Sequence, residues 1–376
     1  INYVTKIMFH INSLGKGGAE RVVVNLAEQF AQNDIDVIIA TEWKAEDEYA
    51  LTEKVRRIHV GLSEQEMKSS AGRQRKIRKN RLKEQIILEQ PDLIYSFCRN
   101  ANYRAVLAAA GTKVPVVISV RSDPSIDYAG KIQKLISSIL YRRAAGAVFQ
   151  TTEARDFFPR SIRSKSRVIL NPLNEKYLAV PKAKQRRKAI VTAGRFHEAK
   201  DQLVLIKAFE RLREDFPDYV LELYGDASED NTLQRVKEYI KSQHLENAVL
   251  LMGNSNELEK RLVDAAVFVL SSKYEGMPNA LMEAMAMQIP VVATDCPCGG
   301  PRTLIEDGIN GLLVKVGDDK EMADAIRKYL QHPEQAEEVA VRGGKITQIT
   351  SPQKIASEWL SYGMELSQRR KGGNSH

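Results

Sequence analysis

Hydrophobic residues occur in short continuous runs that alternate with longer stretches in which apolar positions recur at helical spacing. In the first half the runs predict strands at 6–11, 37–40, 93–97, 114–120 and 147–150, with helices at 19–32, 103–110 and 131–143 and another ending at Glu89. In the second half they predict strands at 189–193, 220–224, 249–252, 265–270, 291–293 and 311–314. Short apolar strands separated by helices are typical of parallel sheets covered on both faces. The pattern therefore predicts an α/β protein with two doubly wound domains.

A polar connection that begins at Asn171 separates the two halves. We predict a first domain at 1–171, a linker at 172–188, a second domain at 189–350, a helix at 351–368 that packs back towards the first domain, and a disordered tail at 369–376. A chain of 376 residues suits two domains of ordinary size. Because ligands of doubly wound sheets bind at the carboxyl ends of the strands, we expect the site in a cleft between the domains.

The composition, 43% hydrophobic and 28% charged residues, is ordinary for a globular protein, and no apolar run is long enough to span a bilayer. Three cysteines are too few for a disulfide framework, and Cys296-Pro297-Cys298 is not a usual zinc spacing. The first strand starts almost at once, which leaves no room for a signal peptide in the sequence as given. We therefore expect a cytoplasmic protein in a reducing compartment.

Positive charge is concentrated in the first half of the chain. Residues 1–185 contain 31 Lys and Arg against 19 Asp and Glu, whereas the remainder contains 25 against 29. Much of the excess lies in one tract without acidic residues: Lys68, Arg73, Arg75, Lys76, Arg78, Lys79, Arg81 and Lys83. The tract is either a solvated helix face or a surface for an anionic partner. Nucleic acid is not favoured, because no aromatic residues interleave, and anionic lipid or a lipid-linked phosphate fits better.

Two carboxylates flank the junction between the strand at 265–270 and the helix that follows. Glu275 lies in the loop and Glu283 inside the helix, with seven residues between them. Gly276 permits a tight backbone path, and Pro278 suits the first helical position. The free amides at the helix N-terminus favour an anion, so the junction could hold a sugar, a diphosphate and a ribose in order. For an isolated pair, the alternative is an amphipathic helix with one satisfied glutamate.

In each half of the chain, a further candidate loop follows the first strand. Gly15-Lys16-Gly17-Gly18 opens the first helix, where glycines allow a ligand to approach, although a plain structural turn is the alternative. In the second half, Arg195 and Lys200 are available to one ligand, or alternatively form salt bridges with Glu198 or Asp201. Two cations at a strand end would stabilise a departing nucleoside diphosphate as its charge develops.

With these motifs the chain resembles the retaining GT-B glycosyltransferases of family 4. Further motifs that carry the resemblance are Gly17-Gly18-Ala19-Glu20-Arg21, Tyr224-Gly225-Asp226, Cys296-Pro297-Cys298-Gly299-Gly300-Pro301 and Asp307-Gly308-Ile309-Asn310-Gly311. The resemblance covers nearly the whole length and is most specific in the second half. It implies two Rossmann-like domains that face a central cleft. It also implies transfer of a hexose or N-acetylhexosamine from an NDP-sugar, with UDP favoured as the nucleotide, to a saccharide acceptor. The resemblance implies that the transferred sugar keeps its anomeric configuration and that the reaction needs no metal ion or cofactor.

The resemblance also implies roles for individual residues. Arg195 and Lys200 match diphosphate ligands, Glu275 matches the carboxylate beside the donor sugar, and Glu283 matches the ribose ligand. The remaining donor-binding positions are Gly17, Gly18, Gly194, Gly225, Gly276, Met277, Pro278 and Asn279.

One departure from the family pattern lies after the strand at 114–120. Arg121 stands where many members carry a histidine that touches the donor sugar. Arg121 and Asp123, with Arg99 and Asn100, are therefore candidates for contacts with the acceptor or the donor sugar. A structural Arg121–Asp123 pair is the alternative. His10 is interpreted as a core or cleft residue.

We expect the first domain to bind the acceptor, a lipid-diphosphate-linked saccharide of a bacterial surface glycan pathway, at the inner face of the membrane. A GT-B nucleotide-sugar epimerase or hydrolase is the enzymatic alternative. A non-catalytic sugar-nucleotide sensor and a polyanion-binding protein are the alternatives of another class.

Overall fold

The structure, a computed structural model, describes residues 4–372 and divides the chain into two compact units. The first unit consists of the described parts of Ile1–Pro172 and Pro352–His376, and the second is Leu173–Ser351. Within residues 4–372, no helix combines the length and the apolar character needed to cross a membrane.

The first unit contains a sheet of seven parallel strands. These are β1 (Lys6–His10), β2 (Asp36–Thr41), β3 (Val55–His59), β4 (Leu93–Phe97), β5 (Val116–Ser119), β6 (Gly146–Phe149) and β7 (Ser166–Val168). Their order is β3-β2-β1-β4-β5-β6-β7, and every neighbouring pair is parallel. The connecting helices are α1 (Gly18–Gln32), α2 (Glu64–Met67), α3 (Ala71–Glu89), α4 (Arg99–Ala108), α5 (Pro124–Asp127), α6 (Lys131–Arg143), α7 (Thr152–Asp156) and α8 (Arg160–Arg163).

The second unit has six parallel strands in the order β10-β9-β8-β11-β12-β13. They are β8 (Arg187–Ala193), β9 (Val220–Tyr224), β10 (Val249–Gly253), β11 (Ala265–Leu270), β12 (Val291–Thr294) and β13 (Leu312–Val314). Its helices are α9 (Glu175–Ala179), α10 (Gln202–Glu210), α11 (Thr232–Ser242), α12 (Leu258–Leu262), α13 (Asn279–Ala286), α14 (Gly300–Leu304), α15 (Asp319–Gln331), α16 (Pro333–Gly343) and α17 (Thr347–Thr350), with 3₁₀ turns at Glu198–Lys200 and Gly344–Ile346.

Both sheets have the strand order of a Rossmann-like doubly wound domain. The order reverses where β1 lies between β2 and β4 in the first unit, and where β8 lies between β9 and β11 in the second. At such a point the loops leave adjacent strands in opposite directions and open a crevice at the carboxyl ends. The predicted fold class is confirmed, and in the second unit the crevice lies beside β8 and β11.

The last helix, α18 (Pro352–Gly372), packs on the first unit. Its Trp359 is fully buried, stacks on Phe97 at a centroid distance of 5.4 Å and meets the edge of Tyr95 at 5.1 Å. The helix includes residues 369–372, which were predicted to belong to a disordered tail. An ion pair of 2.6 Å between Arg369 and Glu365, one turn apart, supports this extension. The rest of the predicted tail, 373–376, lies outside the described residues.

The polar segment 172–188 differs from a free linker. It contains α9, and its cations reach into the second unit: Lys176 pairs with Glu259 at 2.9 Å, and Arg186 pairs with Glu337 at 2.6 Å. The many charges predicted a solvated linker. The structure instead pairs these cations with acidic residues that lie far away in the sequence, so the prediction of a free linker was wrong. From Leu173 onward the segment is part of the second unit.

Candidate functional site

A lysine and a glutamate meet at the carboxyl ends of two neighbouring strands in the second unit. Lys200 ends the 3₁₀ turn that follows β8, and Glu275 lies in the loop between β11 and α13. The Lys200 ammonium forms an ion pair with Glu275 Oε1, and Ser272 Oγ donates a hydrogen bond of 2.6 Å to the same oxygen. The Glu275 side chain is only 11% exposed and that of Lys200 is 32% exposed. Two charges are thus held together at the rim of the crevice.

The backbone around this pair is tied to three strands. Ser271 Oγ donates to the Lys200 carbonyl at 2.7 Å, which joins the loop after β11 to the turn after β8. The buried Thr294 hydroxyl, at the end of β12, donates to the Ser272 carbonyl at 2.6 Å. Since β8, β11 and β12 are consecutive in the sheet, both loops have a rigid support.

The predicted salt-bridge alternative for the two cations is wrong, because Lys200 pairs with Glu275 and not with an acid of its own loop. Glu198 instead pairs with Lys273 at 3.3 Å. Arg195 is exposed, and its guanidinium makes no hydrogen bond or ion pair within residues 4–372. Arg195 is therefore available to a ligand, whereas Lys200 would have to exchange Glu275 for one.

Two glycines shape the turn after β8. Gly225 follows β9 with φ +146°, and a Cβ there would lie 2.1 Å from the Gly194 carbonyl oxygen. The Gly194 amide donates to the Tyr224 carbonyl at 2.9 Å, so the ends of β8 and β9 are in direct contact. Gly225 therefore packs directly against the backbone at the start of the loop that carries Arg195.

Helix α13 begins at Asn279, one residue later than the sequence predicted, with Pro278 as the residue that precedes it. Met277 and Pro278 are buried, and Glu283 is only 4% exposed in the second turn of the helix. A short amphipathic surface helix would leave this glutamate in solvent. Its burial in the helix that follows the Glu275 loop places the second predicted carboxylate inside the protein.

Sequence reasoning missed Ser272 and Gly300 as parts of this site. A Cβ at Gly300, the first residue of α14, would lie 2.0 Å from the Gly276 carbonyl oxygen and 2.9 Å from Pro278 Cδ. The helix after β12 thus packs directly on the loop after β11. The Gly299-Gly300-Pro301 sequence was a signal of such a close approach, since glycine is needed where two backbones touch.

Cys296 lies within the electrostatic influence of this charge pair, and its thiol stays protonated at neutral pH. Cys296 is fully buried, and burial, together with the nearby Glu275 carboxylate, raises the pKa of its thiol to about 12. Cys98 and Cys298 are also free thiols. In the part of the chain that the structure describes, no group of three or more His, Cys, Asp or Glu side chains is placed to hold a metal ion. Metal-independent catalysis stays a prediction.

In the first unit, Gly17 is the residue before α1 and Gly18 its first residue. The loop that leads to them is fixed by Glu48, which accepts hydrogen bonds from Arg57 at 2.6 Å and from the Leu14 amide at 3.3 Å. The hydrogen bonds from Arg57 hold the pKa of Glu48 at about 2. The glycine-rich turn is therefore anchored on one side by a charged pair that stays ionised.

The structure does not bring Arg121 and Asp123 together, so the predicted structural pair is wrong. Arg121 donates to Asn171 Oδ1, and its guanidinium lies 5.5 Å from the centre of the Phe97 ring. Burial lowers the pKa of Arg121 to about 10. Asp123 instead caps α5 by accepting from the Ser125 amide at 2.8 Å. A short polar side chain directly before a helix favours capping over a longer reach.

The other two candidates of the first unit lie at the start of α4. Arg99 donates from its guanidinium to the Asp127 carbonyl, and Asn100 is exposed. The residue before the helix, Cys98, has φ +73°. Arg99 is thus partly committed to the backbone of its own unit, whereas the Asn100 side chain is open to solvent.

Apart from Lys68, the basic tract lies in α3, but not all of it is solvated. Arg78 Nε lies 3.3 Å from the buried Glu42 carboxylate, and Arg81 pairs with Glu66 at 2.8 Å. Glu42 follows β2 and also forms an ion pair with Arg104 of α4. These pairings could not be predicted from the tract itself, because the acids precede it in the sequence and only the fold brings them to it.

His10, the last residue of β1, is a core residue beside this cluster. Its ring is fully buried, its Nδ1 donates to the Ala40 carbonyl at 3.0 Å, and its Nε2 lies 3.7 Å from Glu42 Oε1. Burial, reinforced by the Arg104 charge, lowers the pKa of His10 to about 3. The imidazole is therefore neutral at physiological pH.

Two family models match adjoining parts of the chain. Residues 16–177 match "Glycosyltransferase Family 4", and residues 174–345 match "Glycosyl transferases group 1". Among curated proteins, an uncharacterized glycosyltransferase of Methanocaldococcus jannaschii is 29% identical over 59% of each chain. An α-1,4-N-acetyl-D-galactosaminyltransferase of Campylobacter jejuni is 23% identical over 94% of this chain and 97% of its own.

The fold has close counterparts among solved structures. Anabaena HepE in complex with UDP-glucose superposes with a TM-score of 0.79 at 19% identity, over 95% of this chain and 99% of that one. Together the family matches, the two parallel sheets and this superposition identify the architecture. The chain belongs to the GT-B glycosyltransferases of family 4.

Proposed function

We propose that the protein transfers a hexose or N-acetylhexosamine from a UDP-sugar to a saccharide acceptor, with retention of the anomeric configuration. The observation that carries the proposal is the Lys200–Glu275 ion pair at the carboxyl ends of β8 and β11, beside the N-terminus of α13. A diphosphate and a sugar require a cation and a hydroxyl-binding carboxylate within a few ångströms of each other. The UDP-glucose complex of HepE supports UDP as the nucleotide.

The two cations have different parts in the proposed reaction. Breaking the bond between the sugar and the β-phosphate oxygen leaves a nucleoside diphosphate with additional negative charge. Arg195, which is exposed and whose guanidinium makes no hydrogen bond or ion pair within the described residues, can meet the diphosphate directly. Lys200 is paired with Glu275 in the free protein and would exchange this partner for the diphosphate when the donor binds. Cations that are in place before the bond breaks lower the barrier, because they stabilise the negative charge as it develops.

We assign the carboxylates to binding and not to an acid–base pair. Glu275, which Ser272 holds at 2.6 Å, would accept a hydrogen bond from a donor-sugar hydroxyl. Glu283, buried in α13, would bind the ribose, while the backbone N–H groups of Gly276, Met277 and Asn279 would be available to the phosphates. Correct positioning of the donor then contributes to the rate alongside charge stabilisation.

For the acceptor we propose a lipid-diphosphate-linked saccharide bound by the first unit. The Campylobacter jejuni relative is named for transfer to a saccharide on PP-undecaprenol, and α3 offers cations to such a diphosphate. Arg121, Arg99 and Asn100 remain candidate contacts for the acceptor or the donor sugar. Neutralising Arg73, Arg75, Lys76 and Lys79, while keeping Arg78 for Glu42, should impair transfer to the lipid-linked acceptor but spare a lipid-free analogue.

Donor binding can be tested by thermal shift with UDP-, GDP- and ADP-sugars on the wild type and on Glu283→Ala. A ligand at about 100 times its Kd stabilises the protein by about 2.7 kcal/mol. We expect this stabilisation with UDP-sugars for the wild type and its loss in Glu283→Ala. Glu259→Ala is the matched control, because Glu259 is also buried in the second unit but pairs with Lys176 at 2.9 Å. An equal shift in Glu283→Ala and wild type would refute the assignment.

Turnover separates the proposal from the alternatives. NMR of a UDP-sugar with enzyme alone should show no epimer and only slow hydrolysis, whereas addition of acceptor should yield a product with the donor's anomeric configuration. Activity should persist in EDTA. Rapid acceptor-free conversion would identify an epimerase or hydrolase, and UDP binding without turnover on any acceptor would identify a sensor.

A further inference from the structure

Helix α6 of the first unit turns its apolar side outward. Ile132, Leu135, Ile136 and Ile139 are 74, 62, 37 and 46% exposed, respectively. Their spacing of three, one and three residues places them on one face of a helix, and we call them the α6 stripe. Surface helices of globular proteins normally bury such a face against the core.

The opposite side of α6 explains why the helix does not rotate about its axis to bury the stripe. Ser137 and Tyr141 are buried, and the Tyr141 hydroxyl lies 2.7 Å from that of Tyr128 and accepts from Asn102 Nδ2 at 3.4 Å. Turning the α6 stripe inward would break these buried hydrogen bonds and leave polar groups unsatisfied. The outward orientation is therefore set by the packing of the unit itself.

The charges around the stripe indicate what would cover it. Lys131 begins the helix and Arg142 and Arg143 end it, and all three are exposed. From residue 128 to residue 152 the sequence contains no Asp or Glu. An apolar face with basic residues at both ends is complementary to the interface of an anionic bilayer, where long cationic side chains reach the headgroups. A second copy of the same face would bring like charges together.

We propose that α6 is an interfacial helix whose stripe enters the headgroup boundary of an anionic membrane. This helix differs from α3, where cations predominate, and it supplies the apolar contact that charge attraction alone lacks. The inference supports a lipid-linked acceptor but does not require one, because membrane binding is measured without donor or acceptor.

The test is co-sedimentation of the whole chain with vesicles of phosphatidylcholine, with and without phosphatidylglycerol. We expect the wild type to bind the anionic vesicles, and Ile132→Ser/Leu135→Ser/Ile139→Ser to bind them at least about tenfold more weakly, since three large apolar groups lose their lipid contact. Val341→Ser/Ile349→Ser is the matched control, because these side chains are 53 and 46% exposed in the second unit. Its binding should equal that of the wild type.

Three results would overturn the proposal. The first is equal vesicle binding by the triple variant and the wild type, and the second is no binding by the wild type. The third is a wild-type dimer in sedimentation equilibrium that becomes a monomer in the triple variant and that vesicles do not dissociate, which would assign the stripe to a second copy. Circular dichroism and thermal unfolding establish that the triple variant is folded.

A fluorescent reporter distinguishes insertion from charge attraction. Leu135→Trp should shift its emission to the blue on anionic vesicles, relative to the wild type with its own Trp43 and Trp359, whereas adsorption by charge alone would leave the spectrum unchanged. Transfer to a lipid-free acceptor should be retained by the triple variant. Failure of that reaction in every protein would count against the proposed function and not against the membrane helix.

Discussion

The contact between Gly300 and Gly276 offers a sharp test of how the donor loop is positioned. In Gly300→Ala the new Cβ would lie 2.0 Å from the Gly276 carbonyl oxygen, and an ordinary contact begins at 3.4 Å. One of the two backbones must therefore move by about 1.4 Å. Gly300 has a φ that other residues tolerate, so the effect arises from space alone.

The size of the effect follows from this displacement. The Gly276 carbonyl belongs to the loop that carries Glu275 and leads into α13. A misplacement of about 1 Å costs about 100-fold in rate, or about 2.7 kcal/mol of transition-state stabilisation. We expect kcat/KM of Gly300→Ala to fall by about that factor, with weaker UDP-dependent thermal stabilisation. Initial rates over a range of donor concentrations measure it.

Gly308→Ala is the control for backbone strain. Gly308 has φ +77°, and a Cβ there would meet nothing within 4 Å. It should lose about 1 kcal/mol of stability, because alanine is strained at positive φ, but keep its kcat/KM. If Gly300→Ala retained kcat/KM within about threefold of wild type at unchanged stability, the proposed role of the Gly276 loop would be refuted.

Two further predictions concern charged groups. In Glu275→Gln, Lys200 loses its ionic partner, so calorimetry should find UDP bound about three- to tenfold more tightly while transfer falls; weaker UDP binding would contradict the assignment of Lys200. Burial holds the pKa of His10 at about 3, against about 6.5 when unfolded. The unfolded chain then binds the extra proton, so stability should fall by about 2 kcal/mol from pH 7 to pH 5, and urea unfolding of His10→Gln should lack this part of the pH dependence. Equal pH dependence in both proteins would show that the imidazole is accessible to protons.

The buried strands could be predicted from the sequence because both of their faces are covered. For β9 and β11 the predicted and the observed strands coincide, from Val220 to Tyr224 and from Ala265 to Leu270. The edge strands β3 and β7 were missed. Val55–His59 contains two arginines and Ser166–Val168 is three residues long, because an edge strand exposes a side and needs no continuous apolar run.

The site was predictable in its parts but not in its pairings. The loops after β8 and β11 were identified from glycines and charges, yet the expected partners of Lys200 were acids in its own loop. Its actual partner, Glu275, is 75 residues away. Only the pairing of β8 with β11 brings them together, and no local pattern reports the order of strands in a sheet.

The basic tract likewise shows that the sequence does not reveal which charged residues are paired in the fold. A count of charges treats Arg78 and Arg73 alike, although one lies 3.3 Å from a buried carboxylate and the other is exposed. The α6 stripe was visible in the sequence as ordinary helical spacing. Its outward direction was not, because that depends on the hydrogen bonds of the buried Tyr141 on the opposite side of the helix.

The Lys200–Glu275 pair also bears on how the proposed donor is selected. In the free protein each charge satisfies the other, so neither is left unpaired at the partly buried rim. A diphosphate that takes Lys200 releases Glu275, which then retains only Ser272 unless a sugar hydroxyl arrives with it. On the proposed assignment, an intact nucleotide sugar would satisfy both groups, whereas UDP alone would satisfy one. We therefore expect the pair to favour the substrate over the product nucleotide, which would let UDP leave once the sugar has been transferred.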